Sequence, residues 1–298
     1  MKSILSGFAF AVPVLAGCAA GTPDAQAGAG SPATQFLARQ EGRIAYDDTG
    51  GTGPLIVAVP SMGDLRGEYR HLTPILSRAG YRVVTLDVRG FGQSSASWGD
   101  YSAHAVGQDV LALIDHLGAG PAVVVGTSFA AGSAVWAAHD APDKVRGVIM
   151  IGPVVHDLPS PFFVRAAIAI GFAGPWRVSF WTWYWNGLFP MQKPADHDVF
   201  RADLAANLRE PGRMEALRTM VSLSKADTDA IVGTNHQPTL IIMGTQDQDF
   251  EDPVAEARTL AARTGAETFI IEGGGHYPQA ETPDRTAARI VEFLATTP

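Results

Sequence analysis

The sequence predicts an α/β protein with a mainly parallel, doubly wound sheet and a helical cap inserted after the sixth strand. Three observations lead to this fold class. From Arg43 onward, strand-like apolar runs alternate with helix-like segments, which is typical of a parallel sheet covered on both faces. Several of these runs are continuously apolar, as expected of strands buried on both sides. The alternation stops over residues 156–234 and then resumes, which indicates an insertion.

The composition is that of a globular protein with a large core. Of the 298 residues, 46% are hydrophobic and 17% are charged. The net charge is −8 and the isoelectric point is about 5.4. No run of Lys or Arg could follow a phosphate backbone, so we expect no nucleic-acid partner.

The N-terminus has the features of an exported bacterial lipoprotein. Lys2 precedes an apolar stretch at residues 4–15 that is too short to span a bilayer and fits a signal peptide. The stretch ends in Leu-Ala-Gly-Cys at residues 15–18, which resembles a lipobox. The resemblance implies removal of residues 1–17 and lipid attachment at Cys18, which would hold the protein at the membrane.

Residues 18–35 are rich in Ala, Gly, Pro and Ser and are interpreted as a flexible tether. An ordinary secretory signal, cut near the Ala-Gln-Ala at residues 25–27, is the alternative. Cys18 is the only cysteine, so no internal disulfide can form. We therefore expect an exported protein, anchored through Cys18 and facing the periplasm or the cell exterior.

Each core element before the insertion has its own signal. A strand is predicted at residues 43–47, and the apolar run at 55–59 predicts a buried strand. A helix at 69–78, stopped by Gly80, precedes a strand at 81–86. At 103–117, apolar residues recur at spacings of three and four and predict a helix with one buried face, formed by Val106, Val110, Leu113, Ile114 and Leu117. A strand at 122–125, a helix to His139 and a strand at 145–151 follow.

The segment 156–234 lacks a parallel-strand pattern and contains many aromatic residues, so we interpret it as a mostly helical cap. The core pattern then resumes with a strand at 239–243, a helix at 253–264, a strand at 267–271 and a helix at 283–294. The predicted core therefore comprises residues 36–155 and 235–298, and the cap comprises residues 156–234.

The segment Val123–Gly132 carries the clearest chemical signal. An apolar strand enters a tight turn, Gly126-Thr127-Ser128, and a helix of small residues leaves it. This resembles the nucleophile elbow of the α/β-hydrolase family, where small residues flank the nucleophile because strand and helix approach closely. Gly126 meets the first requirement, and Ala130 stands where the family usually has a second glycine.

The resemblance implies a catalytic triad in the chain order Ser, acid, His. Ser128 is the nucleophile, Asp247 follows a strand as the acid, and His276 follows the next strand as the base. A serine needs such a base because its hydroxyl is a poor nucleophile until its proton is removed. Asp249, two residues further on, and Asp157, beyond the strand at 145–151, remain alternatives for the acid.

The developing oxyanion needs backbone N–H donors. The resemblance implies that Phe129, directly after the nucleophile, supplies one donor and that Met62 supplies the other. Near Met62 the family usually has a His-Gly pair, whereas this chain has Pro60-Ser61. A main-chain donor requires no particular side chain, so the departure changes the loop and leaves the donor.

Two further motifs have competing explanations. The segment Asp87–Ser94 resembles a loop of the same family and is interpreted as structural, because its glycines turn the chain and do not form a dinucleotide fingerprint. The cap contains an aromatic cluster, explained by cap packing, by an apolar wall over Ser128 or by contact with a membrane interface. Its members are Trp176, Phe180, Trp181, Trp183, Tyr184, Trp185 and Phe189.

Together these residues predict a serine esterase, without cofactor or metal, that cleaves small to medium carboxylic esters through a covalent acyl-enzyme. The expected partner is a small ester-like molecule. A serine nucleophile argues against the epoxide hydrolases and dehalogenases of the same fold that use Asp. Two alternatives stay open: a cofactor-free perhydrolase with haloperoxidase-like activity, and a low-turnover binding or signalling protein.

Overall fold

Eight strands form the central sheet: β1 (Gln35–Arg39), β2 (Gly42–Asp48), β3 (Leu55–Val59), β4 (Arg82–Leu86), β5 (Ala122–Thr127), β6 (Val145–Ile151), β7 (Thr239–Gly244) and β8 (Glu267–Ile271). Their order is β1-β2-β4-β3-β5-β6-β7-β8. The pairs β1–β2 and β2–β4 are antiparallel. All pairs from β4 to β8 are parallel.

Eleven helices accompany the sheet in the described part of the chain: α1 (Thr73–Arg78), α2 (Ala103–Leu117), α3 (Phe129–Asp140), α4 (Phe162–Ala173), α5 (Arg177–Gly187), α6 (His197–Leu208), α7 (Arg213–Ser222), α8 (Ala226–Ile231), α9 (Pro253–Thr264), α10 (Pro278–Glu281) and α11 (Pro283–Thr296). Five of them, α4–α8, lie between β6 and β7 and form the cap. The predicted fold class, including a helical cap after the sixth strand, is confirmed.

The computed structural model describes residues 33–159 and 161–297. The predicted signal peptide and the lipid attachment at Cys18 lie outside these residues. Within them, no helix is both long enough and apolar enough to cross a bilayer.

Successive side chains of the central strands enter two different cores, because side chains alternate across a sheet. Val57 and Val124 contribute to the core shared with α2, α3 and the cap. Ile56 and Val123 contribute to the core beneath α1 and α11. Both faces of β3 and β5 are therefore buried, which explains their continuous apolar runs.

The predicted helix at 69–78 starts later in the structure and ends at the predicted residue, Arg78. A 3-10 turn covers Arg66–Tyr69, and α1 begins only at Thr73. The break turns Glu68 and Tyr69 inward, where both are buried and hydrogen-bonded to the loops at the ends of β3 and β5. Those polar contacts lie at the carboxyl ends of the strands, where the candidate site is also located.

Candidate active site

The Ser128 backbone is held in a strained turn between β5 and α3. Its φ of 58° and ψ of −123° make it the one non-glycine residue with positive φ in the described ranges. The Ser128 N–H donates to the Ile151 carbonyl at 2.8 Å, and the Ser128 carbonyl accepts from the Val154 N–H at 3.2 Å. Strain that the surroundings hold in place is typical of functional sites.

The residues on either side of Ser128 explain the altered motif. A Cβ on Gly126 would lie 2.1 Å from the Ala130 carbonyl oxygen, so only glycine fits at that position. Ala130 is fully buried, and its methyl group is accommodated. Alanine can therefore stand where the family usually has glycine.

The His276 side chain lies at the same end of the sheet. A Cβ on Gly152, the residue after β6, would lie 3.0 Å from His276 Nδ1, so the imidazole packs directly against this glycine. The preceding residue, Ile151, binds the Ser128 N–H, which places His276 beside the elbow. Ser128 and His276 both belong to the described residues, and their side chains are not hydrogen-bonded to each other in this structure. Such contacts often form only when substrate is bound.

The three candidate acids differ in their distance from His276. Asp247 Oδ2 lies 2.7 Å from His276 Nδ1, and both side chains are almost fully buried. Asp249 Oδ2 lies 3.7 Å from the same nitrogen. Asp157 is engaged elsewhere: its carboxylate accepts from the Ser224 hydroxyl at 2.6 Å and the Lys225 N–H at 2.9 Å. Asp247 is therefore within hydrogen-bond distance of His276, and Asp249 lies just beyond that distance. Asp157 does not contact His276.

These carboxylates control the protonation of His276. Burial lowers the pKa of the imidazole, but the charges of Asp247 and Asp249 outweigh burial and raise the pKa to about 9. The neutral imidazole, which can accept a proton from serine, is therefore favoured at alkaline pH.

The same three side chains place carboxylate and imidazole atoms within 4.8 Å of one another, a spacing that can suit a metal ion. However, His276 Nδ1 already binds Asp247. In this arrangement Nδ1 donates its proton to the carboxylate, so that nitrogen does not present a lone pair to a metal ion.

The two predicted oxyanion donors are free to bind an external group. In the described part of the chain, neither the Met62 N–H nor the Phe129 N–H donates to a protein acceptor. Met62 lies in a loop after β3 whose turn contains Gly63, with φ of 68°. Phe129 is the first residue of α3, where backbone N–H groups are unpaired by the helix itself.

Two tryptophans of α5 connect the cap to the loop after β3 that contains Met62, which we call the oxyanion loop. Trp181 Nε1 donates to the Gly63 carbonyl at 2.9 Å, and Trp185 Nε1 donates to Asp64 Oδ2 at 2.7 Å. Both indoles are buried, whereas Trp183 is 70% exposed. Of the three explanations for the aromatic cluster, packing therefore accounts for Trp181 and Trp185.

A buried carboxyl group connects the oxyanion loop to the elbow, and sequence reasoning did not identify it. Glu68 accepts from the Ser61 N–H at 2.8 Å and from Gln279 Nε2 at 2.7 Å. Gln279 Nε2 also lies 3.2 Å from the hydroxyl of Thr127, which precedes the nucleophile. Burial, reinforced by the Asp64 charge, raises the pKa of Glu68 to about 8.

The polar side chains of the loop after β4 form contacts within the fold. The buried Asp87 carboxylate accepts from the Arg66 and Gln93 N–H groups, each at 2.8 Å. Arg89 forms two 2.8 Å bonds with the buried Asp109. These contacts agree with a structural role for this segment.

Two cavities open near the cap. One, of about 520 Å³, is lined by Phe129 together with residues such as Trp136 and Lys225. The other, of about 340 Å³, is lined by residues including Arg66 and Phe200. Among the residues that the structure describes, neither lining contains Ser128 or His276, so neither cavity is assigned to the reacting carbonyl.

The fold and the site define a class of protein, and comparison with known families agrees. The α/β-hydrolase fold model matches residues 54–283, and the chain belongs to this family of hydrolases.

Individual relatives have several activities. Over 143 residues the chain is 37% identical to Epoxide hydrolase B of Mycobacterium tuberculosis, which covers 44% of this chain and 39% of that protein. The chain spans less than half the length of the first curated relatives it matches. Among solved structures, bromoperoxidase from Bacillus anthracis has a TM-score of 0.75 at 23% identity, covering 88% of this chain and 100% of that one. The enol-lactonase from Burkholderia xenovorans LB400 has a TM-score of 0.74 at 24% identity and the same coverage. These structural likenesses establish the fold alone.

Proposed function

We propose that this chain is a serine hydrolase that cleaves carboxylic esters, including cyclic esters, through a covalent acyl-enzyme. The observation that carries the proposal is the buried 2.7 Å contact between His276 Nδ1 and Asp247 Oδ2, at the sheet end where Ser128 has its strained backbone. An imidazole held by Nδ1 presents Nε2 as the base, which is the arrangement that serine activation requires.

The mechanism follows from these groups. Ser128 Oγ attacks the ester carbonyl carbon while His276 Nε2 takes the hydroxyl proton. The Met62 and Phe129 N–H groups stabilise the negative oxygen of the tetrahedral intermediate. His276 then protonates the departing alcohol, and the acyl group remains on Ser128. Water, deprotonated by the same imidazole, hydrolyses the acyl-enzyme and restores the free serine.

The names of the relatives include an epoxide hydrolase and a lactonase, and the residue at the elbow distinguishes the two chemistries here. Opening an epoxide through a covalent ester intermediate needs a carboxylate nucleophile, whereas the elbow of this chain carries the hydroxyl of Ser128. A serine alkoxide instead attacks an acyl carbon, as in ester or lactone cleavage. The residue chemistry therefore favours acyl transfer.

The test is turnover of p-nitrophenyl esters from acetate to decanoate by the purified protein, with Ser128→Ala as the matched control. We expect ester hydrolysis that Ser128→Ala lowers by about a factor of 10⁴ or more. Styrene oxide, offered in parallel, should give no diol. Diol formation without ester cleavage would refute the proposal, and acetate-dependent halogenation with peroxide would favour the perhydrolase alternative.

We also propose that the chain is exported and anchored through a lipid on Cys18. The support is the lipobox-like sequence at residues 15–18, together with the absence of any other cysteine. The predicted tether between Cys18 and β1 would let the catalytic domain reach substrates away from the bilayer surface.

A further inference from the structure

Asp249 has an unusual position beside the candidate triad. Its Oδ2 is 3.7 Å from His276 Nδ1, too far for a hydrogen bond but close enough for a strong interaction between charges. The Asp249 N–H donates to Asp247 Oδ1 at 3.1 Å, so the Asp249 backbone is held against the Asp247 carboxylate. Two carboxylates therefore face one ring nitrogen.

A cap residue holds this second carboxylate. The Tyr184 hydroxyl, on α5, donates to Asp249 Oδ1 at 2.5 Å. Burial, together with the charge of Asp249, raises the pKa of Tyr184 well above its ordinary value, so the hydroxyl keeps its proton and remains a donor. Burial and the charge of Asp247 raise the pKa of Asp249 above its ordinary value, while the charge of His276 and the Tyr184 hydrogen bond act against this shift and favour the ionised form.

We propose that Tyr184 and Asp249 form a positioning pair, in which the cap hydroxyl holds the Asp249 carboxylate beside His276 and so strengthens the catalytic base. This inference rests on the proposed role of His276 in acyl transfer. Neither residue contacts the reacting atoms; each acts through the imidazole. The strength of the base thus depends on α5 being packed in its observed place on the core.

The other groups facing His276 differ from Asp249 in role or in strength. Asp247 binds the same nitrogen and fixes the ring. Glu68, on the 3-10 turn, also raises the pKa of His276, but it contributes less than Asp249. The Tyr277 ring meets the imidazole edge-on at 5.3 Å and carries no charge while its hydroxyl stays protonated. After Asp247, Asp249 is therefore the carboxylate that raises the pKa of His276 most.

The direct test is an NMR titration of the His276 ring in the full-length protein. The chain has eight histidines, so the resonance is assigned by its loss in His276→Gln. We expect Asp249→Asn to lower the midpoint by about one pH unit or more, because a negative charge next to the imidazolium is removed. The matched control is Glu251→Gln, which removes the same charge from an exposed side chain two positions away and should leave the midpoint unchanged.

The role of Tyr184 is measured by a double-mutant cycle. If the hydroxyl holds the carboxylate in place, Asp249→Asn should shift the midpoint by less than half as much in a Tyr184→Phe background. Trp183→Phe, on the exposed side of the same helix, should leave the full shift intact. A full shift in the Tyr184→Phe background would overturn the pair, as would equal shifts from Asp249→Asn and Glu251→Gln.

Kinetics supply a second readout, which a purely structural role would not move. In Asp249→Asn the rising limb of kcat/KM against pH should move to lower pH with the NMR midpoint. The plateau kcat should fall about three- to tenfold, because the base is weaker, while KM stays the same. The titration needs no turnover, so it remains decisive for the pair even if ester cleavage itself is disproved.

Discussion

Replacement of the proposed acid, Asp247→Asn, should disable the base while leaving the fold intact. Both carboxylate oxygens are in use: Oδ1 accepts from the Asp249 N–H at 3.1 Å, and Oδ2 accepts from His276 Nδ1 at 2.7 Å. Asparagine has only one side-chain oxygen. If that oxygen keeps the Asp249 N–H, the amide NH₂ faces His276 Nδ1 and forces the proton onto Nε2. The imidazole then cannot accept a proton from Ser128.

The wrong tautomer in a triad lowers kcat by about 10⁴, equivalent to about 5 kcal/mol of transition-state stabilisation. The assay is kcat and KM for p-nitrophenyl butyrate, with circular dichroism and thermal unfolding to show that the variant is folded. Asp157→Asn is the matched control: its carboxylate binds Ser224 and Lys225, and we expect less than a threefold change. Near-normal turnover in Asp247→Asn, with a collapse in Asp157→Asn, would refute the assignment.

Three further predictions follow from the site and the N-terminus. Because the pKa of His276 is raised to about 9 and the neutral ring is the base, kcat/KM should climb between pH 7 and 9; a midpoint at or below 6.5 would contradict this. Trp181→Phe, which loses the 2.9 Å bond to the Gly63 carbonyl, should lower kcat about three- to tenfold uniformly across ester chain lengths. The exposed Trp183→Phe should have no effect, and a change in acyl preference from Trp181→Phe would instead indicate a pocket wall. Cys18→Ser should abolish fatty-acid labelling and membrane partition, and a soluble wild-type protein would disprove the anchor.

The parallel core was predictable because burial on both faces leaves a strong local pattern. The strand at 55–59 and the helix at 103–117 have the predicted bounds. β1 left no comparable signal: it is an edge strand that pairs only with β2, and within it only Leu37 is buried. The helix predicted at 69–78 ends as predicted at Arg78 but starts only at Thr73, because Tyr69 belongs to the preceding 3-10 turn and turns inward to polar partners that the local pattern does not contain.

The candidate site was predictable to the extent that its residues follow strand ends. Ser128, Asp247 and His276 each come just after a strand, and carboxyl ends of parallel strands meet at one edge of the sheet. The Glu68–Gln279 bond joins residues 211 positions apart, and no sequence spacing indicates it. Tyr184 was noted only as one aromatic among several; its hydroxyl contact with Asp249 depends on how the cap is seated.

The central claim is that Ser128 is a nucleophile activated by His276. The most direct measurement is covalent labelling by an activated fluorophosphonate, followed by mass spectrometry of the peptide that contains residues 123–132. We expect stoichiometric modification of Ser128, loss of labelling in Ser128→Ala, and labelling slowed by several powers of ten in His276→Gln. Full-length protein that is folded yet unlabelled at Ser128, or labelled equally fast without His276, would contradict the account.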